Sequence, residues 1–394
     1  MRFLGPSSRR LLIAPLLLAA ACATAVPRPR PVAPPLLERQ GVSSGPGAVA
    51  WSPDGATLAV VCPDGVVLID LRTGSSRPLS APGAVSVDWG PAASLLVVER
   101  DAAGGRAVAI DPAAGERSVL HSDPALVAAR WLHGEEGWLA VASTQEVHRY
   151  GTQAMLALTT SLGGGPAVAH RWSAVLPTKD PGADVALGWA AARPNPLDHG
   201  LLLPQFQKPP LFAGYVAFVA LDPFDGGDPA EIARVELGRW TATVTWSPDG
   251  RRAALSAGDG TLRIVEPGVR DLVAPAGTAR GVHPSWHPRT DVLFLGGSLV
   301  TPAGAPIRKL LEQAENAMGF WSPEGDRLAV TVGGRLFVFE RLGFPAPDAD
   351  ADRWRRAARE ASWELGVLRS QGLVAPEVFR ERRARLRERA AEVP

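Results

Sequence analysis

Three recurrences predict an all-β chain wound into a β-propeller. A Trp-Ser-Pro-Asp/Glu-Gly turn returns along the sequence, most copies stand 35–42 residues apart, and short apolar segments fill each interval. The turn is complete at Trp51–Gly55, Trp246–Gly250 and Trp321–Gly325, and looser at Trp89-Gly-Pro91, Trp131 and Trp286-His-Pro288. In each copy an apolar strand ends at Trp. Pro presets the first turn dihedral, Asp tolerates the second, and Gly accepts the left-handed conformation from which the next strand leaves. The first copy shows the whole unit: strands at Ala48–Trp51, Thr57–Cys62, Val66–Leu71 and Ser76–Ser80, parted by the Asp64-Gly65 and Thr73-Gly74 turns. Four strands in such an interval make one propeller blade.

The interval from Trp131 to Trp246 is longer. One blade placed on Trp189, with an insertion around Pro194 to Leu211, gives seven blades; a separate blade beginning at Trp172 gives eight, and discounting the looser copies gives six. The last unit has strands at Met318–Trp321, Leu328–Val332 and Arg335–Glu340, and the Gly343-Phe-Pro-Ala-Pro segment stops it before a fourth. Leu36–Gln40, ahead of the first blade, is expected to supply that fourth strand and so remove two unpaired edges. The propeller is therefore expected to span 36–345.

Composition agrees with a turn-rich globular body. The chain has 394 residues, 41 Gly and 37 Pro, and 41 Lys+Arg against 40 Asp+Glu for a net charge of +1, a balance that argues against a nucleic-acid partner. Its two cysteines, Cys22 and Cys62, exclude a disulfide framework and a cysteine-cluster zinc site.

Residues 1–25 read as an export signal. Arg2, Arg9 and Arg10 precede an apolar run from Leu11 to Ala21 that is too short to span a bilayer. The Ala19-Ala20-Ala21-Cys22 sequence resembles the bacterial lipobox. That resemblance implies acylation at Cys22 and a lipoprotein held on a membrane, facing the periplasm; cleavage at Ala23-Thr24-Ala25 would instead leave a soluble periplasmic protein. Residues 26–35, five of which are proline, are expected to be an extended tether of about 3.1 Å per residue.

After Pro345 the composition turns to Arg, Glu, Ala and Leu, and residues 346–394 predict a short α-helical hairpin. Gly372 ends its first helix and Pro376 begins its second. Leu365, Leu368, Phe379 and Leu386 form its apolar side. With Gly372, Pro376 and Glu377 they match the spacing of the SHOCT tail, a helix pair found behind unrelated bacterial domains, which this segment resembles. A hairpin this small cannot bury a core alone, so these four residues are expected to dock or to self-associate.

The Trp-Ser-Pro-Asp-Gly turns, each followed by an apolar strand and an Asp-Gly or Gly-Gly turn, resemble the WD40-like repeats of the TolB-type periplasmic propeller family over about residues 36–341. The resemblance implies an exported, non-enzymatic propeller that docks proteins or peptidoglycan-associated lipoproteins.

Chemical motifs are sparse. Gly41-Val-Ser43-Ser-Gly45 has the letters of a nucleophile elbow but neither the strand and helix around it nor the partners after it. His283 and His287 are four apart, yet Pro284 and Pro288 forbid the helix that would align them on a metal. Asp222, Asp225, Asp228 and Glu231 fit no standard calcium loop and read as a solvated turn. No catalytic residue, metal or cofactor is assigned. The recurring tryptophans read as packing between blades. Propeller ligands meet loops at one mouth of the channel, so the 187–215 insertion, with Trp189, His199, Gln205, Gln207 and Lys208, is the expected partner-binding surface. The function expected is a protein-binding scaffold of the cell envelope, held to the membrane by N-terminal lipid, with an envelope protein or a second copy as partner. The alternative is a propeller enzyme, such as a lactonase-like hydrolase, whose metal or acid-base groups converge in the central channel.

Overall fold

The computed structural model describes residues 29–90, 92–132, 137–148, 151–162, 168–176, 193–197, 200–207, 215–221, 224, 230–236, 243–256, 260–266, 280–342 and 349–392. Among them, seven antiparallel sheets of three or four strands follow one another along the chain, each a meander in sequence order. The first is Val49–Trp51, Thr57–Cys62, Gly65–Asp70 and Ser76–Leu79; the second is Ala84–Trp89, Leu95–Asp101, Gly104–Ile110 and Arg117–Asp123. The third is Leu126–Leu132, Gly137–His148, Gly151–Leu162 and Val168–Leu176. The fourth has Leu201–Gln207, Tyr215–Leu221 and Ala230–Glu236, and the fifth Val244–Trp246, Ala253–Ser256 and Leu262–Val265. The sixth is Ser285–Trp286, Leu293–Leu295, Ser298–Val300 and Pro306–Lys309, and the seventh Met318–Trp321, Arg327–Val332 and Arg335–Glu340. This is a propeller arrangement. Six blades are described from their innermost strand outward, and the fourth sheet, described from Leu201, stands between the third and fourth of them in sequence.

The Trp-Ser-Pro-Asp-Gly turn shows why the motif is kept whole. Ser52 is its hub: its hydroxyl donates to Asp54 Oδ1 at 2.6 Å and accepts the Thr57 amide at 2.8 Å, while its carbonyl accepts Gly55 N–H at 2.9 Å. Gly55 sits at φ 64°, where a side chain would be strained. Ser247 repeats the pattern with Asp249 and Arg252. In the third copy the carboxylate position is Glu324, and the Ser322 hydroxyl donates instead to Asp326 at 2.8 Å. The hydroxyl bond survives the substitution by changing its partner.

Second strands are apolar on both faces because each blade is packed between two others. Leu58, Ala59 and Val60 are fully buried, as are Leu95 to Val98 and Leu328 to Val330. The core is correspondingly divided into clusters between adjacent sheets rather than gathered at one centre.

Leu37–Gln40 joins the seventh sheet, with Leu37 opposite Val338 and Gln40 opposite Arg335, so the ring is closed by the N-terminal strand as expected. Just before it, Arg30–Pro31 pairs with Leu311–Glu312, and Val32 N–H donates to Leu310 O at 2.8 Å. The described part of the proline-rich segment therefore lies along the ring.

Two helices follow, α1 at Ala349–Ser370 and α2 at Pro376–Glu392. Gly372, at φ 73°, ends α1: its N–H donates to Arg369 O and Leu373 N–H to Leu368 O, a two-bond cap that satisfies the last carbonyls. The expectation that Leu365 and Phe379 face a second molecule is corrected here. Leu365 is 6% and Phe379 0% exposed, because they pack with Trp363 against Phe224, Ile232 and Leu201 of the fourth sheet and its connections. Phe224 meets Trp363 and Phe379 edge-on, with ring centroids 5.8 and 6.3 Å apart. A hairpin without a core of its own takes the nearest apolar surface, and that surface belongs to its own propeller. Leu368, at 38% exposure, and the half-buried Leu386 lie outside that contact.

Candidate functional site

The inner strands converge on a cavity of about 340 Å³ at the centre of the ring. Its wall is fixed by a latch that recurs between neighbouring blades. The Trp51 indole N–H donates to Phe320 O at 2.8 Å, Trp321 to Ser285 O at 3.1 Å, and Trp246 to Arg193 O at 3.1 Å. In each case the acceptor is the residue just before the tryptophan position of the preceding repeat. Trp51, Trp246 and Trp321 thus fasten adjacent repeats, whereas the buried indole N–H groups of Trp89, Trp131 and Trp286 make no such bond.

This register also corrects the fourth repeat. Asn195 N–H bonds to Gly200 O at 2.7 Å, as Ser52 N–H bonds to Thr57 O at 2.9 Å, and Arg193 O occupies the acceptor place of Phe320 and Ser285. Pro194, rather than Trp189, stands at the tryptophan position, so 193–197 is the turn of the repeat itself and not part of an insertion. Asn195 then reaches across, its Nδ2 donating to Gly250 O at 2.7 Å.

The position before the tryptophan of a repeat, or before Pro194 in the fourth, lines this cavity at Ala50, Asp88, Arg193, Thr245, Ser285 and Phe320; Arg130, at the same position of the third repeat, is buried behind it. The charges at these positions lie side by side. Asp88 Oδ2 accepts the Trp131 amide at 2.8 Å and Oδ1 lies 3.3 Å from Arg193 Nη1. Arg130, 1% exposed, donates to Ala129 O at 2.8 Å. Burial brings its guanidinium down to about 9, the nearby Arg193 charge adds to that, and Asp88 opposes it. Across the cavity, burial pushes His283 down to about 4, so its imidazole is neutral near pH 7. Thr243 Oγ1 donates to Val282 O at 2.8 Å, and Thr245 Oγ1 accepts the Trp286 amide at 3.4 Å. The cavity is therefore mixed: an ion pair, a neutral imidazole, hydroxyls and indole edges.

Among the described residues, no three His, Cys, Asp or Glu side chains come close enough together to hold a metal ion. His287 is a turn residue: Nδ1 accepts the Arg289 and Thr290 amides at 3.1 and 3.0 Å, which leaves Nε2 to donate to Gly325 O at 3.0 Å. Its burial likewise pushes it down to about 4. Cys62 is buried in its strand, and burial raises its thiol. Glu231 pairs with Arg234 at 2.8 Å.

Of the partner-binding residues expected in the 187–215 segment, Gln205 and Gln207 lie in the strand Leu201–Gln207, paired with Ala217 and Tyr215. Trp189, His199 and Lys208 lie outside the described residues, as do Cys22, the signal segment, Asp222, Asp225 and Asp228. The cavity residues Asp88, Arg193 and His283, and the buried Arg130 beside them, were not expected as a site. The signal for Asp88, Arg130 and Arg193 was present: at a position otherwise apolar or hydroxylic, three adjacent repeats carry charges immediately before the strand-ending position.

No protein-family model and no curated protein sequence matches the chain. Solved structures similar to it include hydrazine synthase of Kuenenia stuttgartiensis, with 14% identity, 76% of this chain and 97% of that chain covered, and a TM-score of 0.47. The β-propeller domain of the Trilobed protease from Pyrococcus furiosus gives 10% identity, 77% and 96% coverage and a TM-score of 0.48. A gluconolactonase from Xanthomonas campestris gives 16% identity, 78% and 88% coverage and a TM-score of 0.39.

Proposed function

We propose that this chain is a binding propeller of the bacterial cell envelope, a scaffold that captures a protein partner at the axial mouth without turning it over. The reading rests on the state of the cavity's ionisable groups. A group that moves protons near neutrality needs a pKa near the working pH. His283 lies near 4, and Asp88 is already committed to the Trp131 amide and Arg193. What remains is a concave wall of indoles, hydroxyls and one ion pair, suited to recognition. Export through residues 1–25 and acylation at Cys22 complete the proposal, placing the propeller at a membrane surface facing the periplasm.

The test couples capture to the cavity. Immobilised protein is challenged with solubilised envelope, beside a Ser285→Arg variant in which a long side chain enters the cavity. A partner retained by the first and lost by the second supports the reading. Hydrolysis of a lactone or ester panel that is abolished by Asp88→Asn would overturn it in favour of an enzyme.

A further inference from the structure

A second cleft, of about 450 Å³, opens where α1 lies over the turns of the fourth, fifth and sixth repeats. Its wall carries Arg193 and Arg289 from the propeller and Arg355, Arg356 and Arg359 from α1, and no carboxylate among the described residues. Two of these arginines pair with carboxylates that stand off that wall: Asp88 lies in the axial cavity beside Arg193, and Glu324 is 2.6 Å from Arg289. The helix is held in this place by independent contacts. Arg359 Nε donates to Pro196 O at 2.7 Å, and Trp354 and Ala358 pack on Leu197. Two basic surfaces therefore face each other across a space of small-molecule size, with Trp246 at its base.

From this juxtaposition we propose that the cleft is a binding site for a small polyanion carrying two or more phosphoryl or carboxylate groups, with the propeller as one jaw and α1 as the other. Guanidinium forks bind such groups through paired, charge-assisted hydrogen bonds, and a multivalent anion can engage forks from both jaws at once. The tail is then half of a site rather than an association module. The cleft shares Arg193, Thr245, Trp286, Pro288 and Pro323 with the wall of the axial cavity, but its α1 arginines and Arg289 lie on the cleft alone, so this assignment does not depend on what the axial mouth captures.

Calorimetric titration of the purified full chain with sodium pyrophosphate and with sodium citrate, at ionic strength matched by sodium chloride, tests the site. Saturable binding near one equivalent is expected for at least one probe, and its identity tells phosphoryl from carboxylate recognition. Arg356→Gln and Arg289→Gln, one from each jaw, should each weaken it about tenfold. Ser285→Arg, at a residue that lines the axial cavity and not the cleft, should bind as the parent does, so failure here and failure of the scaffold reading are separable. The proposal is overturned if neither probe binds, or if both arginine variants bind as tightly as the parent while keeping its thermal transition.

Discussion

Trp51 donates its indole N–H to the carbonyl of Phe320, 269 residues away, at 2.8 Å. One side chain thus holds the first blade against the seventh sheet, and its ring is also buried in the cluster between them. Trp51→Phe keeps much of the ring and removes the donor. It should cost about 1–3 kcal/mol in urea denaturation, the range for leaving a buried acceptor unmade, whereas Trp51→Ala should cost about 3–5 kcal/mol. Equal losses in the two variants would show that the latch is packing alone.

Gly366 of α1 lies against the Phe224 ring, and a Cβ there would overlap it. Gly366→Ala should lift α1 from the propeller although alanine is the better helix former. Hydrogen exchange should report faster exchange of α1 amides with little change in the inner strands. Unchanged protection of α1 would mean that the tail does not rest on Phe224.

The two buried imidazoles set an acid limit. Both His283 and His287 fall from the ordinary 6.5 to about 4 when folded. Above pH 6.5 neither state takes up a proton and their contribution is constant. Between about 6.5 and 4 the unfolded chain binds protons that the folded chain refuses, so stability falls as pH falls, by up to about 1.4 kcal/mol per pH unit for each histidine. Asp54, held low first by the Ser52 hydroxyl and then by the Ala56 amide, acts in a lower window, through its ordinary value of 3.8 and below. A denaturation midpoint that stays flat from pH 6.5 to 4.5 would contradict the histidine assignment.

The exchanged partner in the seventh sheet makes a local prediction. Since Ser322 bonds Asp326 where Ser52 bonds Asp54, Asp326→Ala should cost about 1 kcal/mol and Glu324→Ala much less, because Glu324 makes only a surface pair with Arg289. The reverse order, measured by thermal unfolding, would remove Asp326 from the turn.

The repeat grammar made the ring legible because each turn is local: Pro, Asp and Gly act within five residues, and an apolar strand on either side needs no distant information. Closure by Leu36–Gln40 was legible for a related reason, as a strand at the right spacing with no blade of its own. The fourth repeat misled because Arg193-Pro-Asn195 keeps the turn chemistry while lacking the tryptophan, and Trp189 drew the reading five residues upstream. The tail's helices and caps were visible in Gly372 and Pro376, but its docking was not. That depends on Phe224, one aromatic in an acidic connection whose apolar neighbours come from α1 and α2. Arg130 could not be read as buried either, since a charged residue in a strand is ordinarily a solvent-facing one.

Glu38 and Arg335, paired side by side in the last sheet, are 297 residues apart. The strand that finishes the structure is thus among the first made and the last used. Until Arg335–Glu340 has emerged, whether from a ribosome or through a membrane pore, the growing chain is an open arc with two exposed backbone edges. Most blades can form as they appear, each from neighbouring sequence, but the clasp waits for nearly the whole chain, and that wait is the interval in which another strand could take its place.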